Sequence, residues 1–445
     1  NPTTTYLSIL DATVANHART AAIWVYRPHE ELSLKRLILS LRETLKLYPH
    51  FSGELGFVED VDSRDHARRF RRLQVKYGFP TDPGVEAIVA KSEQALSSIL
   101  PAPGWQDVWD ASQLPVEAFI PTVPLPPSVT GQPAMYVQLT TFPDALAVGV
   151  QLAHGIADAH TLGQFMHNWS RIHRRLPIAV SPLFNPALLD RAAAGDIDDE
   201  RPDGTLLKAS LELPMRRYDY WASADGCPAY MASATRVPEE LDAQTIMPLG
   251  TPAPWREWDP TALVGQTILH FTADEVHRIW LEATSQSSSM RLSHLDTLIA
   301  LLWVLINRAR GLSSSEHPVY LINTLGMRGR LVPDNFVGSP LILGSATALG
   351  RDASSIENLS QVAESIRAVV NRFTPEAIGA LLHDMAFDDM PQRIWHAFLG
   401  KQHLILTSWL RIGIYDVQFV EGENPKFATS VMPVVDGVIQ ILEAG

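Results

Sequence analysis

The feature that most constrains the fold is a strand-to-helix transition between Ala145 and Ile172. The run 145–153 is almost wholly apolar, which predicts a strand buried on both faces. Beyond Asp158, apolar residues recur every three or four positions, which predicts an amphipathic helix with one side against a core. These apolar residues are Leu162, Phe165, Met166, Trp169 and Ile172. The corner between strand and helix therefore carries the sequence His154-Gly155-Ile156-Ala157-Asp158.

Three residues of this corner can be explained in physical terms. Gly155 allows the backbone to turn sharply without a side-chain clash. Asp158 falls in the first turn of the helix, where a carboxylate is favoured by the helix dipole. His154 stands at the end of a buried strand, a suitable place for an imidazole that transfers protons.

The spacing of His154 and Asp158 is not specific by itself. His270 and Asp274 repeat it after another strand-like run, and there a capping box formed by Thr272 and Glu275 explains the acidic residue. On the residues alone, His154 has three interpretations: a structural histidine at the corner, a general base or a metal ligand.

Composition limits the class of protein. A chain of 445 residues with 46% hydrophobic content can bury the cores of two domains. The net charge of -13 argues against nucleic acid or an anionic membrane as the main partner. A single cysteine, Cys227, excludes an intramolecular disulfide. We see no signal peptide, lipidation motif or apolar run long enough to cross a bilayer, so we expect a cytoplasmic protein. We also expect a monomer.

Helix and strand patterns recur in both halves of the chain. We predict a helix on the apolar face from Leu34 to Tyr48, a long irregular crossover from about residue 181 to 258, and a terminal hairpin over 430–442. The arginine-rich stretch 64–72 could hold a phosphate, but we favour its interpretation as a solvated hairpin tip. The similar alternation of helix and strand patterns in the two halves predicts an α/β architecture in which two mixed layers face each other across a cleft.

Several further segments, taken in order, make the chain resemble the BAHD acyltransferases, particularly their fungal branch around trichothecene 3-O-acetyltransferase. The segments are 7–11, 34–55, 154–169, 293–303, 328–338, 407–411 and Tyr415-Asp416. The resemblance implies two similar chloramphenicol-acetyltransferase-like domains of mixed sheets facing each other across a central channel. It places an N-terminal domain at 1–180, a crossover at 181–258, and at 259–445 a C-terminal domain that contributes most of the CoA site.

The resemblance also implies a reaction and roles for residues. The enzyme would transfer an acyl group from acyl-CoA, its co-substrate, to a hydroxyl or amine of a secondary metabolite, with His154 as general base. Trp409, with Thr407 nearby, would stabilise the oxyanion. Asp158 would turn away from the cleft and pair with Arg328 or Arg330, and Gly155 would shape the corner.

The CoA contacts are less well marked in the sequence. The segment around Ser288, Ser289 and Arg291 offers hydroxyls and one cation to the CoA phosphates, although an ordinary polar loop is the competing interpretation. No bound metal or permanent cofactor is expected. His160, His167 and His173 are interpreted as helix-surface residues, and the sequence has no Walker loop, dinucleotide-binding glycine pattern, Gly-x-Ser-x-Gly elbow or His-Glu-x-x-His motif.

The chain departs from the family pattern at three places. Ala159 stands where the family usually has glycine, Ala153 where many members have a second histidine, and 418–422 reads Gln-Phe-Val-Glu-Gly instead of Asp-Phe-Gly-Trp-Gly. Two alternatives therefore stay open. The same fold could carry out cyclisation, pericyclic or condensation chemistry without CoA, or the protein could be a non-catalytic small-molecule binder.

Overall fold

The structure is a computed structural model that describes residues 2–100, 108–121, 131–244, 246–259, 261–285, 290–395 and 398–444. The helices of the described residues are α1 (Ile9–Thr13), α2 (Leu34–Leu45), α3 (Ala159–His173), α4 (Ala187–Asp190), α5 (Gly204–Leu211), α6 (Ala273–Ser285), α7 (His294–Ala309), α8 (Leu359–Arg372) and α9 (Pro375–Ala386). The strands are β1 (Thr3–Tyr6), β2 (Thr20–Tyr26), β3 (Glu54–Phe57), β4 (Leu73–Tyr77), β5 (Glu86–Lys91), β6 (Val108–Asp110), β7 (Met135–Thr141), β8 (Leu146–Leu152), β9 (Tyr218–Asp219), β10 (Thr251–Pro252), β11 (Thr267–Leu269), β12 (Pro318–Gly326), β13 (Leu341–Leu349), β14 (Ile394–Trp395), β15 (His403–Ser408), β16 (Phe427–Val431) and β17 (Val438–Ile441). No helix among these described residues combines the length and apolar character that crossing a bilayer requires.

The first sheet is built around β8, as the apolar run predicted. Its order is β16-β2-β8-β7-β5, and β8 pairs antiparallel with both β2 and β7. All seven residues of β8 are buried. Alternate residues contribute to two different clusters, because Val148 and Val150 pack with α2 and α3 while Ala147 packs with Phe119 on the opposite face.

The second sheet has the order β13-β12-β15-β17 and packs against α8, which in turn packs against α7. Its hydrophobic cluster draws on these helices and on α9, with Trp303 fully buried near its centre. Two mixed sheets, each with its own core, agree with the predicted α/β architecture.

The predicted terminal hairpin is wrong. Strand β16 pairs antiparallel with β2 in the first sheet, whereas β17 pairs parallel with β15 in the second. The alternation of buried residues identifies both segments as strands, but it contains no information about which edge each one joins. As a result the last segment of the chain connects the two sheets.

The arginine-rich stretch is also not a solvated hairpin tip throughout. Arg72 is 1% exposed, and its guanidinium donates to the carbonyl oxygens of Met385 and Ala386 at 3.1 and 2.8 Å. Arg69 donates to the Ala386 carbonyl as well. These arginines bind the end of α9 to the first half of the chain, because a guanidinium can satisfy several carbonyl oxygens at once.

The crossover segment is less irregular than the sequence predicted. The crossover contains helix α5, whose N-cap Asp203 accepts from the backbone N–H groups of Thr205 and Leu206. In the proline-rich segment before β7, the described residues 108–121 cover the open face of the first sheet. A Cβ added at Gly149 would lie 2.0 Å from the Phe119 carbonyl oxygen, so this close approach requires glycine.

Candidate active site

His154 reaches its position through β8. After Leu152 the chain makes one turn of 3-10 helix over His154–Ile156, and α3 then begins with Asp158 as its N-cap. A Cβ at Gly155 would lie 2.6 Å from Leu73 Cδ1 and 3.3 Å from the Asp11 carbonyl oxygen. Gly155 is therefore required by close packing against β4 and α1 as well as by the turn.

Asp158 faces the second half of the chain. Its Oδ1 accepts from the Thr161 backbone N–H at 2.9 Å, which caps α3. Arg328 holds the carboxylate with two nitrogens, Nη1 to Oδ2 at 2.5 Å and Nη2 to Oδ1 at 3.0 Å. The Asp158 and Arg328 side chains are 5% and 8% exposed, so this bidentate pair is buried.

The surroundings of Asp158 keep it ionised. Burial alone would raise the pKa of this carboxyl, but the charge and hydrogen bonds of Arg328 and the Thr161 N–H outweigh burial and hold the pKa below its usual value. Arg330 does not share this role, because its guanidinium donates to the Phe373 carbonyl oxygen at 3.3 Å. Of the two arginines expected from the sequence, Arg328 is the partner of Asp158.

The His154 imidazole is partly exposed and has an unexpected neighbour, Ser339. The Ser339 hydroxyl donates to the His154 carbonyl oxygen and lies 3.3 Å from His154 Nδ1. Burial lowers the pKa of His154, while the Asp158 charge and the backbone carbonyl of His154 itself act in the opposite direction. The ring is accordingly neutral at neutral pH and able to accept a proton.

Trp409 and Thr407 come from the end of β15. Thr407 pairs with Gln440 of β17, and the Trp409 backbone N–H donates to the Ile441 carbonyl oxygen at 2.8 Å. The Trp409 side chain is buried in the same hydrophobic cluster as Ala153 and Ile156, the residues on either side of the His154-Gly155 pair. The direct polar contacts of the corner join His154, Asp158, Arg328 and Ser339, whereas Trp409 is connected to it through packing.

The structure describes only some of the candidate CoA-binding residues. Ser288 and Ser289 lie outside the described residues. Arg291 is exposed and lines a cavity of about 410 Å³ together with Trp280, Leu292, Ser293, His294 and Arg367. In this cavity Arg367 is bound to Asp296, with Nε at 2.9 Å from Oδ2. The Trp280 indole stacks on the His294 ring with centroids 5.0 Å apart.

The three histidines of α3 each bind a backbone carbonyl oxygen. His160 donates to Asp334 at 2.9 Å, His167 to Ile412 at 2.8 Å and His173 to Glu31 at 3.0 Å. His173 is buried, so the helix-surface interpretation is wrong for it. These rings join α3 to neighbouring segments.

Comparison with known proteins relates the chain to one family. The sequence profile of the transferase family matches residues 2–208 and 253–443. Acyltransferase AFT15-1 of Alternaria alternata is 25% identical over 96% of this chain and 84% of its own length, and acyltransferase abl6 of Leptosphaeria maculans is 25% identical over 99% and 86%. The structure of Fusarium TRI101 with coenzyme A and T-2, from F. sporotrichioides, superposes with a TM-score of 0.62 at 16% identity, covering 98% of this chain and 90% of that one.

Proposed function

The chain belongs to the transferase family, the BAHD-type acyltransferases, and on this basis we propose that it transfers an acyl group from acyl-CoA to a hydroxyl or amine of a small secondary metabolite. The observation that carries the proposal is the corner at His154. There a neutral, partly exposed imidazole is held at the end of a buried strand by contacts from both halves of the chain.

In the proposed reaction His154 is the general base. It takes the proton from the acceptor hydroxyl or amine as that group attacks the thioester carbonyl carbon and a tetrahedral oxyanion forms. When the intermediate collapses, the C–S bond breaks and the imidazolium returns the proton to the CoA thiolate. No metal or permanent cofactor takes part in these steps, since the acyl group and its leaving group both come from acyl-CoA.

The remaining corner residues support this base. We assign Asp158 and Arg328 a structural role, because their bidentate pair occupies the carboxylate and connects α3 to the turn after β12. We assign the Trp409 indole N–H, with Thr407, to stabilisation of the oxyanion. A fixed donor at that position is the usual requirement for acyl transfer.

We place recognition of the CoA phosphates at the cavity beside Arg291. Arg367 is neutralised by Asp296 there, so the exposed Arg291 guanidinium provides the charge that can bind a phosphate. The stacked Trp280 and His294 rings offer a flat aromatic surface suited to a purine base. Arg291→Ala should weaken the stabilisation of the protein by CoA in thermal unfolding while leaving the melting temperature of the free protein unchanged.

The test is acyl transfer itself. The purified protein is incubated with acetyl-CoA and with longer acyl-CoAs, together with a panel of fungal metabolites that carry hydroxyls or amines. Release of the CoA thiol and the mass of the acylated product are then measured. We expect product only when acyl-CoA is present. Product formed without CoA would instead support the cyclisation or condensation alternative.

His154→Ala identifies the base within the same assay. Loss of a general base should lower kcat by about 10²–10⁴. His160→Ala is the matched control, because this histidine lies on the next helix turn and binds only the Asp334 carbonyl among the contacts described above. Full turnover by a folded His154→Ala variant would contradict the assignment.

A further inference from the structure

Ser339 belongs to the second half of the chain, yet its backbone is fixed against the catalytic corner of the first half. Its N–H donates to Asp11 Oδ1 at 2.6 Å, and the residue is fully buried. The preceding carbonyl, that of Gly338, accepts from Thr161 Oγ1 at 2.9 Å and from Arg328 Nη2 at 3.1 Å. The main chain therefore holds Ser339 in place without help from its hydroxyl.

The hydrogen-bonding capacity of this hydroxyl determines which ring nitrogen of His154 carries the proton. A serine hydroxyl has one hydrogen and two lone pairs, whereas a carbonyl oxygen can only accept. The Ser339 hydrogen is directed to the His154 carbonyl oxygen. The contact at 3.3 Å between Ser339 Oγ and Nδ1 must then have Nδ1–H as the donor and a serine lone pair as the acceptor. A neutral imidazole has only one N–H, so Nε2 is left with a free lone pair.

We infer that Ser339 is a positioning residue that holds His154 in the Nδ1–H tautomer and thereby makes Nε2 the proton acceptor. The catalytic role of this tautomer rests on the proposed function, in which His154 is the general base. It assigns to the second half of the chain a task that carboxylates often perform for catalytic histidines. Here the Asp158 carboxylate is occupied by Arg328 and by the Thr161 N–H.

Other groups also lie near the ring. The His17 ring meets the His154 ring edge-on with centroids 5.7 Å apart. Asp11 reaches the corner through the Ser339 backbone N–H, and burial raises the pKa of Asp11 to about 7. The His154 carbonyl oxygen raises the pKa of the ring and therefore acts together with Ser339 in favouring a proton there.

The tautomer can be observed directly by ¹⁵N NMR of the protein labelled at histidine, with His154→Ala used to assign the resonances. Above the pKa of His154 we expect a protonated Nδ1 and an unprotonated Nε2. In Ser339→Ala the signals should shift toward the other tautomer. The turnover number should fall by roughly 10-fold, less than the ~10²–10⁴ that loss of the base itself would cause, and KM for acyl-CoA should be unchanged.

Three variants separate this role from packing. Ser345→Ala removes another buried serine hydroxyl, one that has no partner among the described residues, and should change neither the tautomer nor kcat. Ser40→Ala removes a buried serine hydroxyl that contacts a different imidazole, His173 Nδ1 at 3.0 Å, so it should leave the His154 ring signals unchanged. Ser339→Cys keeps the approximate size of the side chain but only weak hydrogen bonding, and it replaces Ser339→Ala should that variant unfold.

Unchanged Nδ1 and Nε2 signals in a folded Ser339→Ala or Ser339→Cys variant would overturn the inference. The proposed function fails by a different result, full turnover in His154→Ala. The two failures are distinguishable because the NMR measurement requires neither substrate nor activity.

Discussion

Neutralising Asp158 tests whether the second polar residue of the corner acts through structure or through chemistry. Asp158→Asn keeps an oxygen that can cap α3 at Thr161, but it removes the negative charge facing Arg328. The Arg328 side chain is 8% exposed, so its charge would be left buried and uncompensated. Removing one partner of a buried pair costs about 3–5 kcal/mol.

The size of the expected thermal shift follows from the length of the chain. At about 2.1 cal/mol/K per residue, 445 residues give an unfolding entropy near 0.9 kcal/mol/K. A loss of about 3–5 kcal/mol then lowers Tm by about 3–5 °C for a single cooperative transition. Calorimetry measures the shift in Tm, and urea unfolding followed by circular dichroism measures the loss of free energy independently.

An exposed pair of similar geometry provides the control. Asp225 accepts from two nitrogens of Arg256 at 2.8 and 2.9 Å, and the two side chains are 66% and 76% exposed. Asp225→Asn should leave Tm unchanged, because water solvates both charges when the pair is broken. An Asp158→Asn variant as stable as the parent protein but strongly impaired in kcat would refute the structural role and make Asp158 a participant in the chemistry.

Three further predictions concern His154 and its surroundings. Burial lowers the pKa of His154 and favours the neutral base, despite the opposing Asp158 charge and with the His17 ring adjacent. The acidic limb of the pH profile of kcat/KM should therefore have its midpoint below pH ~6.5, the ordinary pKa of histidine. A midpoint above that value would contradict the assignment of His154 as the base. Gly155→Ala places a Cβ 2.6 Å from buried Leu73 Cδ1 and should cost about 1–3 kcal/mol in urea unfolding, whereas an unchanged midpoint would show that the corner can relax. Trp409→Phe keeps an aromatic ring in the core but removes the indole N–H, so kcat should fall by ~10²–10³ with little loss of stability. Unchanged kcat would restrict Trp409 to packing.

The strand, corner and helix around His154 could be predicted because their signals are local. Hydrophobic periodicity depends on neighbouring residues, and the apolar run of β8 and the stripe of α3 are buried as the pattern indicated. Asp158 was predicted in the first turn of the helix and lies one position earlier, as the N-cap. The resemblance limited the candidate partners of Asp158 to Arg328 and Arg330. Only the fold shows that Arg328 binds Asp158, whereas Arg330 binds a backbone carbonyl oxygen.

Contacts between distant segments were not predictable from these patterns. Ser339 follows a turn-rich segment and has no distinguishing sequence signal, but it lies 185 residues from His154 in the chain and touches it in the structure. Arg72 was assigned to a solvated cluster because charged side chains are usually exposed. In the structure it is buried, because the Met385 and Ala386 carbonyl oxygens accept its hydrogen bonds. The same limitation applies to β16 and β17. Their strand conformation was predictable from neighbouring residues, but the strands with which they pair are distant in sequence and were not predictable.

The most direct test of the central claim labels the base without knowledge of the acceptor. Bromoacetyl-CoA should carry an electrophilic carbon to the place where the acyl group binds, and a neutral imidazole nitrogen there would displace bromide and form a C–N bond. Peptide mapping by mass spectrometry should then find one adduct, on His154, which excess CoA prevents and which is absent in His154→Ala. Labelling elsewhere, or labelling of His154 that CoA does not prevent, would contradict an acyl-CoA-dependent transferase with His154 as its base.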